Sequence, residues 1–167
     1  MGPKSAVETV PASTGAASAL VPVEADVAFA TLSDLVHLPT WNEKMVRVVA
    51  LPDRVESGAE WVVEFAMFGR KWKSRSRVAI LDAVARRFEY RTQTDDGNAS
   101  FTDWKWGVEP EGEGCRVSVS WVLHPLTFWR RVFFSPMRAR QLARTEVPAS
   151  LAALAKADLV GGGELSR

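Results

Sequence analysis

Between Lys71 and Ile80 the chain alternates. Lys71, Lys73, Arg75 and Arg77 occupy one parity, and Trp72, Ser74, Ser76, Val78 and Ile80 the other. A period of two places the two sets on opposite faces of a β-sheet. Four cations belong in water, so the Trp72 face is the inner one. That inner face carries two serines where a filled core would take Leu or Ile. Small hydroxyl side chains leave space and offer hydrogen bonds, which predicts a sheet wrapped around a ligand cavity. The competing reading seats Ser74 and Ser76 against a closely packed loop or helix.

The same period recurs along the chain. Val46 to Leu51 reads as a short strand. Glu60 to Phe68 sets Trp61, Val63, Phe65 and Met67 on one face. Arg87 to Thr94 turns Phe88, Tyr90, Thr92 and Thr94 inward, with Arg87, Glu89, Arg91 and Gln93 outward. Ser100 to Val108 aligns Thr102, Trp104, Trp106 and Val108, and Arg116 to Leu123 aligns Val117, Val119, Trp121 and Leu123. Gly69, Asp96-Gly97 and the stretch from Glu111 to Gly114 supply turns, so these strands form an antiparallel meander.

Ahead of the meander, Ser18 to Val23 reads as a first strand. Ala25 to Leu35 reads as a helix with Asp26 as N-cap, and Thr40 to Lys44, beyond Pro39, as a second short helix. From Leu126 to about Lys156 the pattern is helical, interrupted at Pro136 and Pro148. The predicted class is α+β: a curved antiparallel sheet of about seven strands gripping a long C-terminal helix, with two short helices after the first strand. Residues 1–15 and 158–167 read as disordered tails, leaving one ligand-binding domain over 16–157.

Charge and motif content narrow the function. The formal net charge is +1, so no overall field selects nucleic acid. The Lys71–Arg77 row reads as a solvated sheet face without exposed aromatics to stack bases. Cys115 is the single cysteine, so no disulfide framework exists and the chain suits a reducing, cytoplasmic compartment. No apolar run is long enough for a transmembrane segment, and no signal-peptide-like stretch follows Lys4. His37 and His124 lack companions at metal-ligand spacing, so no metal is expected. Neither a Gly-rich phosphate loop nor a nucleophile elbow occurs, and no cofactor is expected.

Seven tryptophans and eight phenylalanines stand against one tyrosine. Trp61, Phe65, Trp72, Phe88, Trp104, Trp106 and Trp121 share the inward parity. Some must fill the core and others can line a void. Trp72 beside Ser74, and Trp104 beside Thr102, are the stronger pocket candidates. The candidate ligand-binding set is completed by Ser76, Tyr90 and Thr92. Tyr90 could donate a proton to a carbonyl or enolate oxygen; it could equally be a buried phenol bonded to a backbone carbonyl or water. Glu146 is the second catalytic candidate. It shares a helix face with Ala139, Ala143 and Ser150, and no basic residue lies three or four positions away. Facing inward, its carboxyl would have a raised pKa; alternatively, the kink at Pro148 turns it into solvent. Phe128, Trp129, Val132, Phe133 and Phe134 interleave with Arg130 and Arg131, reading either as a peripheral membrane or lid-like segment or as the first half of the C-terminal helix.

The segment LSDLVHLPTWN, Leu32 to Asn42, carries Asp34, Pro39 and Trp41 in the order L-x-D-x-x-x-x-P-x-W. With the order of elements and the late strands Trp104 to Pro110 and Val117 to Trp121, it resembles the START/SRPBCC superfamily, the helix-grip fold. Within it the chain is most similar to the polyketide cyclase/dehydrase-like branch, over roughly residues 18–157. The resemblance implies a deep cavity between sheet and C-terminal helix that holds a small hydrophobic molecule. Members bind sterols, lipids, hormones and polyketides, and some catalyse cyclisation, aromatisation or dehydration. No catalytic residue carries over, because no catalytic motif is shared across the superfamily. The resemblance places Trp41 near the pocket entrance, as a ligand-contacting wall or as a plug seating the second helix on the sheet. Asp34 is expected to bond backbone N–H groups around Leu38 or Trp41. The expected function is a polyketide cyclase/dehydrase-like enzyme. The alternatives are a non-enzymatic lipid or metabolite carrier and a co-chaperone-like interaction module.

Overall fold

Seven strands form one antiparallel sheet in the computed structural model, which describes residues 13–42, 44–125 and 151–153. In chain order they are β1 (Ser13–Val21), β2 (Met45–Ala50), β3 (Glu60–Met67), β4 (Arg70–Asp82), β5 (Arg87–Thr94), β6 (Phe101–Glu111) and β7 (Gly114–His124). Their spatial order is β1-β7-β6-β5-β4-β3-β2. Consecutive strands from β2 to β7 are therefore neighbours, as the short turns require. Between β1 and β2 run helix α1 (Ala25–Ser33), a 3-10 turn (Leu35–His37) and helix α2 (Leu38–Trp41). The class is α+β, with a curved antiparallel sheet and few helices.

Turn chemistry sets the hairpins. Met67 pairs with Arg70, so only Phe68 and Gly69 link β3 to β4, at φ of 50° and 72°. Glu111 pairs with Gly114, and Gly112 takes φ of 60° between them. Both loops need left-handed backbone, which glycine adopts without strain.

β5 keeps its predicted bounds, and four departures have physical causes. β1 begins at Ser13, inside the stretch read as tail, because Ser, Thr, Gly and Ala carry almost no polarity contrast to show a strand. Its pairing with β7, from Ser13 opposite Leu123 to Val21 opposite Cys115, fixes it. A bulge in β4 follows Val78: Ile80 lies opposite Glu89, and Leu81 opposite Phe88. The extra residue reverses the parity, so Leu81, and not Ile80, packs against the core. The N-cap of α1 is Glu24, in extended conformation and without a side-chain cap bond; Asp26 sits in the first turn and reaches Arg86 Nε at 2.7 Å. Finally, Pro39 lies in the first turn of α2 and does not precede it. Its missing N–H is no loss there, so it starts the helix two residues earlier than expected.

Asp34 joins the helices differently from expectation. Its Oδ1 accepts from the backbone N–H of Val36 at 3.1 Å, capping the 3-10 turn, and its Oδ2 lies 2.6 Å from His37 Nδ1. Leu38 and Trp41 N–H groups are not its partners, because the chain turns immediately after α1.

The core lies on the inner face of the sheet. Phe29 and Leu32 of α1, Leu35, and Leu38 and Trp41 of α2 share one buried cluster with Trp61, Val63, Val78, Phe88, Trp106, Val108, Val117, Val119 and Trp121. Leu151, in a helical turn at 151–153, is buried in the same cluster. The remainder of the expected C-terminal helix lies outside the described residues. So do Glu146, the Phe128–Phe134 segment, and the tails apart from 13–15.

Candidate functional site

The inner face divides into two halves. Toward the β4–β5 and β6–β7 turns, Val78, Phe88, Trp106, Val108, Val117 and Val119 are buried, and α1 lies against β6 and β7 there. Toward the β3–β4 and β5–β6 turns, Trp72, Tyr90, Thr92, Thr102 and Trp104 are only half-buried. Register makes Tyr90, Thr92, Thr102 and Trp104 a continuous patch, with Trp72 set apart from it beyond Ser74, opposite Phe65. Tyr90 lies opposite Trp104, Thr92 opposite Thr102, and Ser76 opposite Thr92.

Aromatic rings floor this region. The Tyr90 ring stacks beside Trp104 at 6.4 Å between centroids and meets the Trp61 edge at 5.0 Å. Trp104 in turn contacts Trp121 at 6.0 Å, and Phe65 stacks on Trp72 at 5.6 Å. Trp61 and Phe88 stack at 6.0 Å beneath them. Such ring pairs fix one another's tilt, so the surface they present is pre-formed.

The hydroxyls of the region differ in availability. Ser74 and Ser76 are each 3% exposed. Ser74 Oγ donates to the Gln93 carbonyl at 3.0 Å, and Ser76 Oγ bonds Thr92 Oγ1 at 2.8 Å. The two serines thus tie β4 to β5, and both are covered. Trp106 Nε1 donates to the Tyr90 oxygen at 3.3 Å, which fixes the phenol oxygen in place. The inner positions of β3 to β7 hold no carboxylate or cation among the described residues. Tyr90 is their phenol, and Thr92 and Thr102 stand beside it.

Trp41 is 2% exposed and meets Trp106 edge-on at 5.8 Å. Its contacts are those of a plug that seats α2 on the sheet. The buried Nε1 atoms of Trp41 and Trp61 have no hydrogen-bond partner among the described residues. Trp106 and Trp121 are also buried. Of the expected ligand-binding positions, the fold therefore brings Trp72, Tyr90, Thr92, Thr102 and Trp104 to an accessible surface. It packs Trp41, Trp61, Ser74, Ser76, Trp106 and Trp121 beneath or beside them, with Phe65 at the border.

The outer face is a charge lattice. Arg75 contacts Asp95 at 3.1 Å and Glu60 at 3.4 Å, and the bond to Asp95 holds its guanidinium pKa above the ordinary value. Glu64 accepts from Arg47 at 3.2 Å and lies 3.8 Å from Lys71. Arg47 foremost, with Lys71 and Lys73, holds the Glu64 carboxyl below its ordinary range. The Lys71–Arg77 row is thus partly neutralised by its own sheet. Among the described residues no three His, Cys, Asp or Glu side chains gather to hold a metal ion, and no helix is long and apolar enough to cross a membrane.

Two features escaped the sequence pattern. Gly15 lies under Trp121, and nothing marks one glycine in a small-residue run as the one a tryptophan needs. His124 stacks on Phe101 at 4.3 Å and reaches Asp103 at 3.3 Å, a grouping made only by pairing β6 with β7.

Comparison with known proteins agrees with this architecture. Residues 14–157 match the family described as "Polyketide cyclase / dehydrase and lipid transport". No curated protein matches the chain in sequence. Among solved structures, the protein TTHA0849 from Thermus thermophilus is similar with a TM-score of 0.70 and 16% identity, over 90% of this chain and all of its own (100%). Ara h 8.0201 is similar with a TM-score of 0.70 and 14% identity, over 90% of this chain and 99% of its own. The di-domain ARO/CYC BexL from the BE-7585A biosynthetic pathway has a TM-score of 0.70 and 20% identity, over 92% of this chain and 48% of its own. These likenesses establish the shared fold. With its seven-stranded sheet and a family match over residues 14–157, the chain belongs to the polyketide cyclase/dehydrase branch of the START/SRPBCC superfamily.

Proposed function

We propose that this chain binds a flat, hydrophobic small molecule against the half-buried aromatic patch and acts on it as a polyketide cyclase/dehydrase-like enzyme. One observation carries the reading: Trp72, Tyr90, Thr92, Thr102 and Trp104 stay half-buried beside an inner face on which Trp61, Val78, Phe88, Trp106, Val119 and Trp121 are buried. An apolar floor with a few convergent hydroxyls suits a planar ligand that presents oxygen atoms. Family membership and the likeness to one half of an ARO/CYC protein support the same chemistry.

In this reading the sheet supplies shape and proximity, holding a flexible chain in one folded arrangement. Tyr90 is the proton-transfer group. Its oxygen is positioned by Trp106 Nε1, so the phenol can hydrogen-bond a carbonyl or enolate oxygen lying on the Trp104 ring. Glu146 is the second proton-transfer candidate, on sequence grounds. A helix over 126–156, with Leu151 as its buried contact, would close the patch from the other side. The working unit in this reading is one domain over residues 16–157, acting in the cytoplasm without a metal or cofactor.

A carrier role is the second reading. Ser74 and Ser76 spend their hydroxyls on β5, which leaves the patch greasier than its composition suggests. Native mass spectrometry of freshly purified protein tests both. A retained small molecule returned unchanged after incubation fits a carrier, and a retained cyclised or dehydrated product fits the enzyme. Persistent absence of any bound molecule, with no uptake of added planar hydrophobes, contradicts both.

A further inference from the structure

The β3–β4 hairpin ends in a side chain that its fold does not use. Phe68 is 88% exposed and adopts φ of 50°, in a two-residue turn where the first position favours Asn or Gly. An aromatic there gains no burial and strains the backbone. Backbone strain combined with an exposed ring points to a contact outside the chain.

The flanking charges identify that contact. Arg70, Lys71 and Lys73 follow the tip, and Arg47 lies further down on β2, opposite Glu64, the carboxylate among them. Arg47 and Lys71 share Glu64, and neither Arg70 nor Lys73 has a carboxylate within ion-pair distance among the described residues. The opposite end of the sheet differs. Val84 is similarly exposed, but its neighbouring cations are paired, Arg86 with Asp26 and Arg87 with Glu89. An exposed ring ahead of three cations that, together with Arg47, have one carboxylate among them is the pattern of an interfacial anchor: the ring enters the headgroup layer and the long basic side chains reach phosphates.

We propose that the β3–β4 hairpin docks this protein on an anionic lipid surface, with Phe68 as the inserted side chain and Arg70, Lys71 and Lys73 as the phosphate contacts. The half-buried residues Trp72 and Thr102 lie at this end of the sheet, Trp72 just beyond the hairpin and Thr102 just beyond the β5–β6 turn. Docking would therefore bring the patch to the membrane, where hydrophobic molecules partition. The docking itself does not depend on the ligand reading, because it is measured on lipid alone.

Co-sedimentation of the full chain with two kinds of vesicle tests it: phosphatidylcholine alone, and phosphatidylcholine mixed with phosphatidylglycerol. The expected result is binding to the mixed vesicles that weakens as salt screens the cations. Phe68→Asn should weaken it roughly ten-fold or more through loss of ring burial. The same change should raise the unfolding midpoint, because Asn suits the left-handed position. Lys71→Gln/Lys73→Gln should weaken binding by roughly ten-fold or more as well. Absence of binding to mixed vesicles at low salt overturns the proposal, as does undiminished binding by either variant. Equal binding to both kinds of vesicle also overturns it. So does binding of a protein partner through Phe68 without any vesicle binding.

Discussion

The Trp121 indole crosses directly over Gly15. A Cβ built at Gly15 would fall 2.2 Å from Trp121 Cζ2 and 2.4 Å from Cε2. The two residues are register partners on β1 and β7, so neither strand can shift to make room. Gly15→Ala must displace a fully buried indole that also contacts Trp104. The expected cost is about 1–3 kcal/mol, as for other overpacked cores. Chemical denaturation of the variant checks this. Unchanged stability would mean that Trp121 has room to move.

Tyr90→Phe separates structure from chemistry. Removing the hydroxyl leaves the mostly buried Trp106 N–H without its acceptor, at a cost of about 1 kcal/mol for so long a bond. The ring contacts with Trp61, Phe88 and Trp104 survive. Retention of planar hydrophobes should persist while turnover of the bound molecule falls at least about 100-fold, the usual weight of a proton-transfer group. Mass spectrometry of the retained species before and after incubation reads both. Full turnover by a folded Tyr90→Phe protein removes Tyr90 from the mechanism.

The Asp34 carboxylate should act as a cap. Asp34→Asn keeps an oxygen able to accept from Val36 N–H, so stability should change little. Asp34→Ala should cost about 1 kcal/mol. Thermal melts of the pair distinguish this from a charge effect through His37, in which the two variants would lose equally.

Much of this fold is legible as strand parity, because β3 to β7 carry full contrast between inner aromatics and outer charges. β5 alternates Phe88, Tyr90 and Thr92 against Arg87, Glu89 and Arg91, and its bounds follow directly. β1 offers only Ser, Thr, Gly, Ala, Leu and Val, so its start is set by pairing and not by pattern. The bulge after Val78 is invisible locally, because Ala79, Ile80 and Leu81 are all apolar. At the site, parity identifies which residues face inward. It does not tell Trp104, half-buried, from Trp106, buried, because that depends on where the helices lie: Trp41 of α2 meets Trp106 edge-on. Nor does it show that Ser74 and Ser76 bond across to β5, since a hydroxyl's partner belongs to the neighbouring strand.

The Glu64 cluster predicts the acid response. Arg47 foremost, with Lys71 and Lys73, holds the Glu64 carboxyl below its ordinary value of 4.5. A carboxyl lowered on folding adds stability that is complete above the ordinary value. That stability is lost as pH falls through the folded value. Glu64→Gln should therefore flatten the stability profile below about pH 4.5 and leave its shape near neutrality unchanged. Denaturation midpoints across that range, for both proteins, provide the check. An identical acid limb would show that the cluster does not couple to folding.

Ligand binding on the half-buried patch is tested most directly at Thr102. This residue faces Thr92 and Leu123 across the sheet and stands beside Trp104. Thr102→Leu adds bulk to the accessible surface and removes no hydrogen bond found among the described residues. A fluorescence titration with the aromatic probe 8-anilinonaphthalene-1-sulfonate should show uptake by the parent protein, with energy transfer from the neighbouring tryptophans. Binding should be roughly ten-fold weaker in Thr102→Leu, with an unfolding midpoint close to the parent's. Equal affinity in a folded Thr102→Leu protein would contradict the placement of the site on this patch.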